Sequence, residues 1–143
     1  MATQIFINLP VKDLKRSIDF FTKLGFLFNP QFTDDSATCM IIGENIYAML
    51  LVEDRFRGFT KKSISDAGKY TEVLIAIDAE SKEAVDDMVA KAFDAGGTVD
   101  KQAQDDGWMY GHGFADPDGH QWEVLYMDES AIPAQMGKAA QVG

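Results

Sequence analysis

The pattern of hydrophobic and polar positions occurs twice along the chain. Residues 5–11 carry an aliphatic side chain at every odd position, and this period of two predicts a strand with one buried face. A helix then runs to about Leu24, and three further strand-like segments end near Val52. From Thr71 the same order of strand, helix and three strands returns and ends near Met127. The sequence therefore predicts two βαβββ modules.

The first module has clear boundary signals. Asp13 is suited to cap the helix, because a short acidic side chain accepts hydrogen bonds from the free N–H groups of the first turn. Residues 26–32 and 38–42 are predicted strands, and the turn at 43–45 leads into a fourth strand over 46–52.

The second module repeats these signals. Ser81 is the predicted cap of a helix that ends at Gly96 and Gly97. The segment Asp-Pro-Asp-Gly at 116–119 predicts a tight turn between the last two strands. The predicted strands of this module are 72–77, 98–104, 108–115 and 121–127.

The chain is long enough for one domain, and each module alone is too small to bury a good core. We expect one domain over 1–143, of class α+β, with the two modules forming a cup-shaped mixed sheet and the helices on its outer side. Its parts are module 1 at about 4–52, a linker at 53–70, module 2 at about 71–128 and a tail at 129–143, frayed or loosely docked. The linker carries five basic residues and two phenylalanines, Phe56 and Phe59, and its pattern fits either a lid or a solvated crossover.

Composition narrows the class of partner. The net charge is −10, and the excess is uneven: residues 1–70 hold 9 basic and 8 acidic side chains, whereas residues 71–143 hold 4 and 15. An acidic surface disfavours nucleic acid and anionic membranes. The chain has no apolar run of membrane-spanning length, and its single cysteine, Cys39, suits a reducing compartment. These features predict a cytoplasmic protein.

The helices must cover one face of each sheet, so alternation assigns the other face to the cup. Aligning the two modules makes Glu72 equivalent to Phe6, and Glu123 equivalent to Tyr47. An unpaired buried carboxylate is costly, so two acids in an apolar cup are expected to be paired, protonated or bound to a metal. The predicted inner residues are Phe6, Asn8, Tyr47, Met49, Leu51, Glu72, Leu74, Glu123 and Leu125.

Two segments resemble the vicinal-oxygen-chelate superfamily. They are residues 8–14 (Asn-Leu-Pro-Val-Lys-Asp-Leu) and residues 114–123 (Phe-Ala-Asp-Pro-Asp-Gly-His-Gln-Trp-Glu). That superfamily contains glyoxalase I, bleomycin-resistance proteins, fosfomycin-resistance enzymes and extradiol dioxygenases. The resemblance covers about residues 4–128 and is closest to uncharacterised glyoxalase-like members of the bleomycin-resistance type. It implies the fold, whereas the superfamily places several chemistries on one scaffold.

The resemblance also implies four metal-ligand positions. The first, usually His or Gln, is Phe6 here, and the second is Tyr47; neither is a good ligand for a divalent cation. The third, commonly His, is Glu72, and the fourth keeps its glutamate as Glu123. We therefore expect no resident metal; the alternative is one divalent ion held by Glu72 and Glu123. An extradiol dioxygenase is disfavoured because its iron needs two His and a carboxylate.

The last hairpin leaves two registers open. A loop of two residues places His112 opposite Glu123, whereas a loop of three residues places Gly113 there. His120 lies in the turn and is expected to be exposed to solvent. Trp108, Met109 and Tyr110 are candidates for the mouth of the cup, although hairpin packing explains them equally well.

We expect a protein that binds a small molecule in an apolar cup with two acids, which suits a cationic or planar ligand. Its candidate ligand-binding residues are Phe6, Asn8, Tyr47, Met49, Leu74, Trp108, Tyr110, His112 and Leu125. The alternative is a metal-dependent lyase or isomerase of the glyoxalase I type, with Glu72 and Glu123 as catalytic residues. A structural or regulatory dimer is a third reading, so the residues leave open whether the protein is an enzyme. A homodimer is expected.

Overall fold

The computed structural model describes residues 1–134, so the prediction of a frayed tail falls mostly outside the described residues. Module 1 forms one mixed sheet, sheet 1, with strand order β1-β4-β3-β2, in which β1 and β4 are parallel. Its elements are β1 (Ile5–Val11), α1 (Leu14–Lys23), β2 (Leu27–Asn29), β3 (Ala37–Gly43) and β4 (Ile46–Val52).

Module 2 forms sheet 2, with strand order β5-β8-β7-β6 and parallel pairing of β5 with β8. A short helix, α2 (Glu53–Arg57), opens the linker between the modules. The other elements are β5 (Leu74–Asp78), α3 (Lys82–Asp94), β6 (Gln104–Asp105), β7 (Met109–Ala115) and β8 (Gln121–Met127). The predicted α+β class with two βαβββ modules is confirmed, and the eight strands form two separate, open sheets.

The predicted helix boundaries are confirmed by their caps. The Asp13 side chain accepts a hydrogen bond from the Arg16 N–H at 3.1 Å, and the Ser81 hydroxyl accepts one from the Ala84 N–H at 3.0 Å. Gly25 follows α1 with a φ of 102°, a conformation that strains any residue with a Cβ.

Three strand predictions were too long. The run predicted at 26–32 is a three-residue strand followed by a 3₁₀ turn, because Pro30 cannot donate to a ladder. The polar run at 98–104 makes a single bridge, from Thr98 to Ala115, before the short β6. Strand β5 begins at Leu74, so Glu72 precedes it. None of the helices in residues 1–134 has the length and apolar character needed to cross a membrane.

The two modules share one hydrophobic core. The aliphatic faces of both sheets pack against α1 and α3, as the alternation predicted. An aromatic group joins the modules: Phe21 of α1 lies edge-on to Trp122 of β8, with ring centroids 5.3 Å apart, and Phe20 lies 5.9 Å from Phe114. Trp122 is fully buried. The helix-side faces therefore lie inside the protomer, and the opposite faces of both sheets point away from this core.

The turn between β7 and β8 joins the modules by polar contacts. Asp116 is buried and accepts hydrogen bonds from the Trp122 indole at 3.1 Å and from the backbone N–H groups of Asp118 and His120 at 3.0 Å each. Asp118 reaches module 1, where it accepts from the Lys12 N–H at 2.8 Å. The same carboxylate contacts the side chains of Arg16 and Ser17 at 3.4 and 3.3 Å. The hydrogen bonds to Asp116 and Asp118 therefore fix the conformation of the turn and its position against module 1.

Replacing Asp116 by Asn should destabilise the protein. Asn can still accept from the two backbone N–H groups, but its amide would place a donor against the Trp122 indole N–H. The expected loss in the free energy of unfolding is about 1–3 kcal/mol, the cost of a buried unsatisfied group. Urea denaturation measures it, with Asp35→Asn, an exposed acid in another turn, as the control. A loss for Asp116→Asn no larger than that of the control would contradict this role.

The same pair of proteins gives a pH test. Burial raises the pKa of Asp116, against the opposing effects of His120 and the Trp122 hydrogen bond. The folded state therefore binds this proton more tightly than the unfolded state does. The contribution of Asp116 is fully present below its unfolded pKa of about 3.9 and decreases as pH rises through the folded pKa. The stability advantage of wild type over Asp116→Asn should shrink as pH rises from about 4 toward 7; growth over this range would refute the assignment.

Candidate functional site

The outer face of sheet 1 (Phe6, Asn8, Tyr47 and Met49) carries an aromatic pair with one exposed member, Phe6. Parallel pairing of β1 with β4 places Phe6 beside Tyr47, and their rings stack with centroids 4.9 Å apart and planes 14° apart. Phe6 is 50% exposed, and Asn8 and Met49 form the next cross-strand pair. This face therefore offers a flat apolar surface edged by one amide.

The outer face of sheet 2 (Leu74, Glu123 and Leu125) carries one acid. Glu123 of β8 lies between Ala76 of β5 and Gly113 of β7, and its side chain is 22% exposed. The Lys101 ammonium lies 3.6 Å from its Oε1. A Cβ on Gly113 would stand 2.6 Å from Glu123 Oε2 and 2.8 Å from the Trp122 carbonyl oxygen. The glycine thus makes the room that the carboxylate occupies.

The hairpin adopts the second of the two registers, with Gly113 opposite Glu123 and His112 opposite Val124. His112 consequently lies on the helix side of β7, where its Nε2 donates to the Lys101 carbonyl oxygen at 2.8 Å. The prediction that His112 lines the cup beside Glu123 is therefore wrong. The three-residue loop decides this, because a one-residue change of register reverses every side chain.

Tyr110 and Trp108 also lie away from Glu123. Tyr110 shares the helix side of β7 with His112 and donates to the Asp86 carboxylate of α3 at 2.6 Å. That hydrogen bond raises the pKa of Tyr110. Trp108 lies at the far end of the hairpin, where its carbonyl oxygen accepts from the Asp128 N–H at 2.7 Å. The contact with α3 therefore accounts for the position of Tyr110.

His120 is half-buried, which corrects the expectation that it is exposed. Its Nε2 lies 2.7 Å from the Pro10 carbonyl oxygen of β1, an acceptor, so this nitrogen carries the proton. The turn is held against module 1 by Asp118, and this brings the imidazole to β1. His120 thereby lies between the modules rather than in solvent.

A cavity of about 300 Å³, here called the linker cavity, lies where residues 56–73 cross the end of β1 and the start of β8. The sequence suggested that this linker could be a lid, but it did not predict a cavity beneath the linker. The linker packs closely on the turn, since a Cβ on Gly119 would stand 2.6 Å from the Ala67 carbonyl oxygen. The wall of the linker cavity is mainly formed by apolar residues and residues with a hydroxyl group. The apolar residues are Leu9, Pro10, Phe56, Ile64, Ala67 and Val73, and the hydroxyl residues are Thr60, Ser63, Ser65 and Thr71.

The two acids predicted to share one cup line different spaces within a protomer. Glu72 is exposed and lines the linker cavity. Glu123 lines a cleft of about 20 Å³ together with Lys101 and Gly113. The separation arises because β5 starts only at Leu74, so Glu72 belongs to the linker and not to the sheet that orients Glu123. The contact between Lys101 and Glu123 was not predicted. The one signal for it was that the sequence has no other cation near Glu123.

The side chains present do not fit the divalent ion that the resemblance implies. Phe6 has no donor atom, and the ring of Tyr47 is stacked on it. Glu123 is already engaged by an ammonium group. Within residues 1–134, no three side chains of His, Cys, Asp or Glu converge into a group able to hold a metal ion.

Comparison with known proteins agrees with this fold. The family model described as the Glyoxalase/Bleomycin resistance protein/Dioxygenase superfamily matches residues 4–124. The structure of hypothetical protein SA1046 from S. aureus is 31% identical with a TM-score of 0.75, over 88% of this chain and 95% of that one. A glyoxalase-related enzyme from Fulvimarina pelagi is 18% identical with a TM-score of 0.74, over 88% of each chain.

A third similar structure is TnmS3, an antibiotic binding protein from Streptomyces sp. CB03234. It is 19% identical with a TM-score of 0.60, over 89% of this chain and 97% of that one. No curated protein was found to match the chain. The chain belongs to the glyoxalase/bleomycin resistance protein/dioxygenase superfamily, as the extent of the family match shows.

Replacing Gly113 by Ala should displace Glu123 and lower stability. The new methyl group meets the Trp122 backbone oxygen as well as the carboxylate, so a change of the Glu123 rotamer alone cannot relieve the clash. We expect a loss of about 1–3 kcal/mol, the usual cost of overpacking. Denaturant unfolding measures it, with Gly43→Ala as control, because a Cβ there meets only the Ile46 side chain at 3.5 Å. Equal effects for the two variants would contradict this account.

Proposed function

We propose that this protein binds a planar small molecule in a cup built between two copies of the chain, without a resident metal. The outer face of sheet 1 from one copy would form one wall, and the outer face of sheet 2 from the other copy would form the opposite wall. The observation that carries the proposal is the stacked pair of Phe6, which is half-exposed, and Tyr47 on a sheet face that the protomer's own core leaves uncovered.

Exposure of large apolar side chains supports the homodimer. Phe6 is 50% exposed, Leu74 is 56% exposed and Leu27 is 71% exposed, and each belongs to a sheet rather than to a loop. Large apolar side chains exposed on sheet faces are characteristic of interaction surfaces. A second copy would cover it and would turn two open faces into an enclosed site.

The chemistry of the two walls suggests a ligand class. An aromatic pair favours a planar group, since stacked rings gain from contact area and offset geometry. The opposite wall offers Glu123 and Lys101, which are partly exposed and can exchange their mutual contact for hydrogen bonds to a ligand. TnmS3, a similar fold, is described as an antibiotic binding protein, and this agrees with a role in binding a small molecule.

The glyoxalase I alternative receives less support from these residues. It needs Glu72 and Glu123 at one metal ion, and the two acids line different spaces in the protomer. The lysine beside Glu123 would also oppose a cation there. We therefore keep binding, rather than metal-assisted proton transfer, as the proposed activity.

The homodimer is tested by the mass in solution, measured by light scattering. The chain has a mass of 15.8 kDa, and the dimer should have twice that. Leu74→Asp places a charge on the outer face of sheet 2 and should shift the protein toward the monomer. Phe93→Asp, at a residue that is 63% exposed on α3, is the matched control and should leave the dimer intact. A monomeric wild-type protein, or dimers in both variants, would contradict this assembly.

The binding proposal is tested with bleomycin and with the planar dye acridine orange in fluorescence titrations. Phe6→Ala should weaken binding by about tenfold, because it removes half of the stacked surface; tenfold corresponds to about 1.4 kcal/mol. Phe59→Ala, at a linker residue that is 71% exposed, is the control. No saturable binding of either probe, or equal weakening by both variants, would count against the proposal.

A further inference from the structure

The linker cavity is separate from the proposed cup and has its own chemistry. Its volume of about 300 Å³ is at the lower end for small-molecule sites, which are mostly apolar with a few polar groups. Phe56 and Ile64 come from the linker, and Leu9 comes from the sheet core. It thus has the composition expected of a site for a small ligand.

Two opposite charges line this cavity, Lys62 and Glu72. Among residues 1–134 neither side chain forms an ion pair or a hydrogen bond. The two arginines of the same linker are paired, since Arg57 lies 2.6 Å from Asp54 and Arg55 lies 3.8 Å from Asp34. The cavity therefore presents one free ammonium and one free carboxylate beside an apolar wall.

The frame of the cavity is fixed by contacts on three sides. The Thr71 hydroxyl donates to Gln121 Oε1 at 2.7 Å, and His120 is bonded to the Pro10 carbonyl oxygen at 2.7 Å. Gly119 packs against the backbone of Ala67. A preformed frame lowers the ordering cost of binding.

We propose that the linker cavity binds a small zwitterion with an apolar body, of the class of free α-amino acids with aromatic or aliphatic side chains. The ligand's ammonium group faces Glu72, its carboxylate faces Lys62, and its side chain lies against Phe56 and Ile64. A ligand with a single charge pairs with only one of the two protein charges and leaves the other protein charge without a partner. The proposal does not depend on the cup between two copies.

The test uses the full-length protein and three probes of similar size: L-phenylalanine, 2-phenylethylamine and 3-phenylpropionate. Isothermal titration should show L-phenylalanine binding about tenfold more tightly than either singly charged analogue. Glu72→Gln should abolish the preference over 3-phenylpropionate, which has no ammonium group. Lys62→Met should abolish the preference over 2-phenylethylamine, which has no carboxylate. These changes in preference separate direct contact from a general loss of folding.

Matched controls are Lys69→Met and Glu44→Gln, which remove the same charges at positions that do not line the cavity. Both should keep the wild-type affinities, and thermal unfolding should confirm that all four variants are folded. Phe6→Ala should also bind L-phenylalanine normally, so failure of the cup and failure of this site are distinguishable. The proposal is overturned if L-phenylalanine does not bind at about 10 mM, above the range of a specific weak site. It is also overturned if Glu72→Gln and Lys62→Met leave the preferences unchanged.

Discussion

The buried carboxylate of Asp116 fixes the turn on which the arrangement of the two modules depends. It accepts hydrogen bonds from two backbone N–H groups of its own turn and from the indole of Trp122, the largest fully buried side chain. The turn then presents Asp118 to the start of α1 and His120 to the end of β1. Burying a carboxylate is costly unless its acceptor sites are filled, and here the filled sites determine one geometry. Both the linker cavity and the orientation of sheet 2 follow from that geometry.

The shared core determines where a ligand can bind. Because α1 packs between the helix-side faces and Phe21 contacts Trp122, the two outer sheet faces cannot enclose a space with each other in one protomer. They remain open, with Phe6 and Leu74 half-exposed. Within the described residues, the linker cavity is formed by a single copy and lies near the turn and the linker. The two proposed sites therefore differ in kind: the cup would need a second copy, and the linker cavity would not.

The sequence was sufficient to predict what depends on periodicity and capping. The strand at Ile46–Val52, the Asp13 and Ser81 caps and the aliphatic face of β8 follow from local patterns and are present as predicted. The position of Glu72 could not be read in this way, since alternation assumes that the strand extends to it, and β5 begins two residues later. The environment of His120 depended on the contact of its turn with module 1, a long-range effect. Lys101 reaches Glu123 from a segment without regular structure, which no periodic pattern describes.

The structure also changes the interpretation of how charge is distributed along the chain. A net charge of −10, with most of the excess in the second module, disfavoured anionic partners, and the alternation of residues placed Glu72 and Glu123 in the predicted cup. Much of this excess lies on the solvent side of α3 and in loops, where Asp87 and Asp105 pair with Lys91 and Lys82. At Glu123 the nearby Lys101 offsets the acid, and at the linker cavity Lys62 accompanies Glu72. Local balance at each candidate site, rather than net charge, therefore decides which ligand a site favours. In the proposed cup, an aromatic wall opposite a paired acid and lysine would favour a planar, polar-edged ligand over a simple cation, because a cation would compete with the ammonium group for the carboxylate.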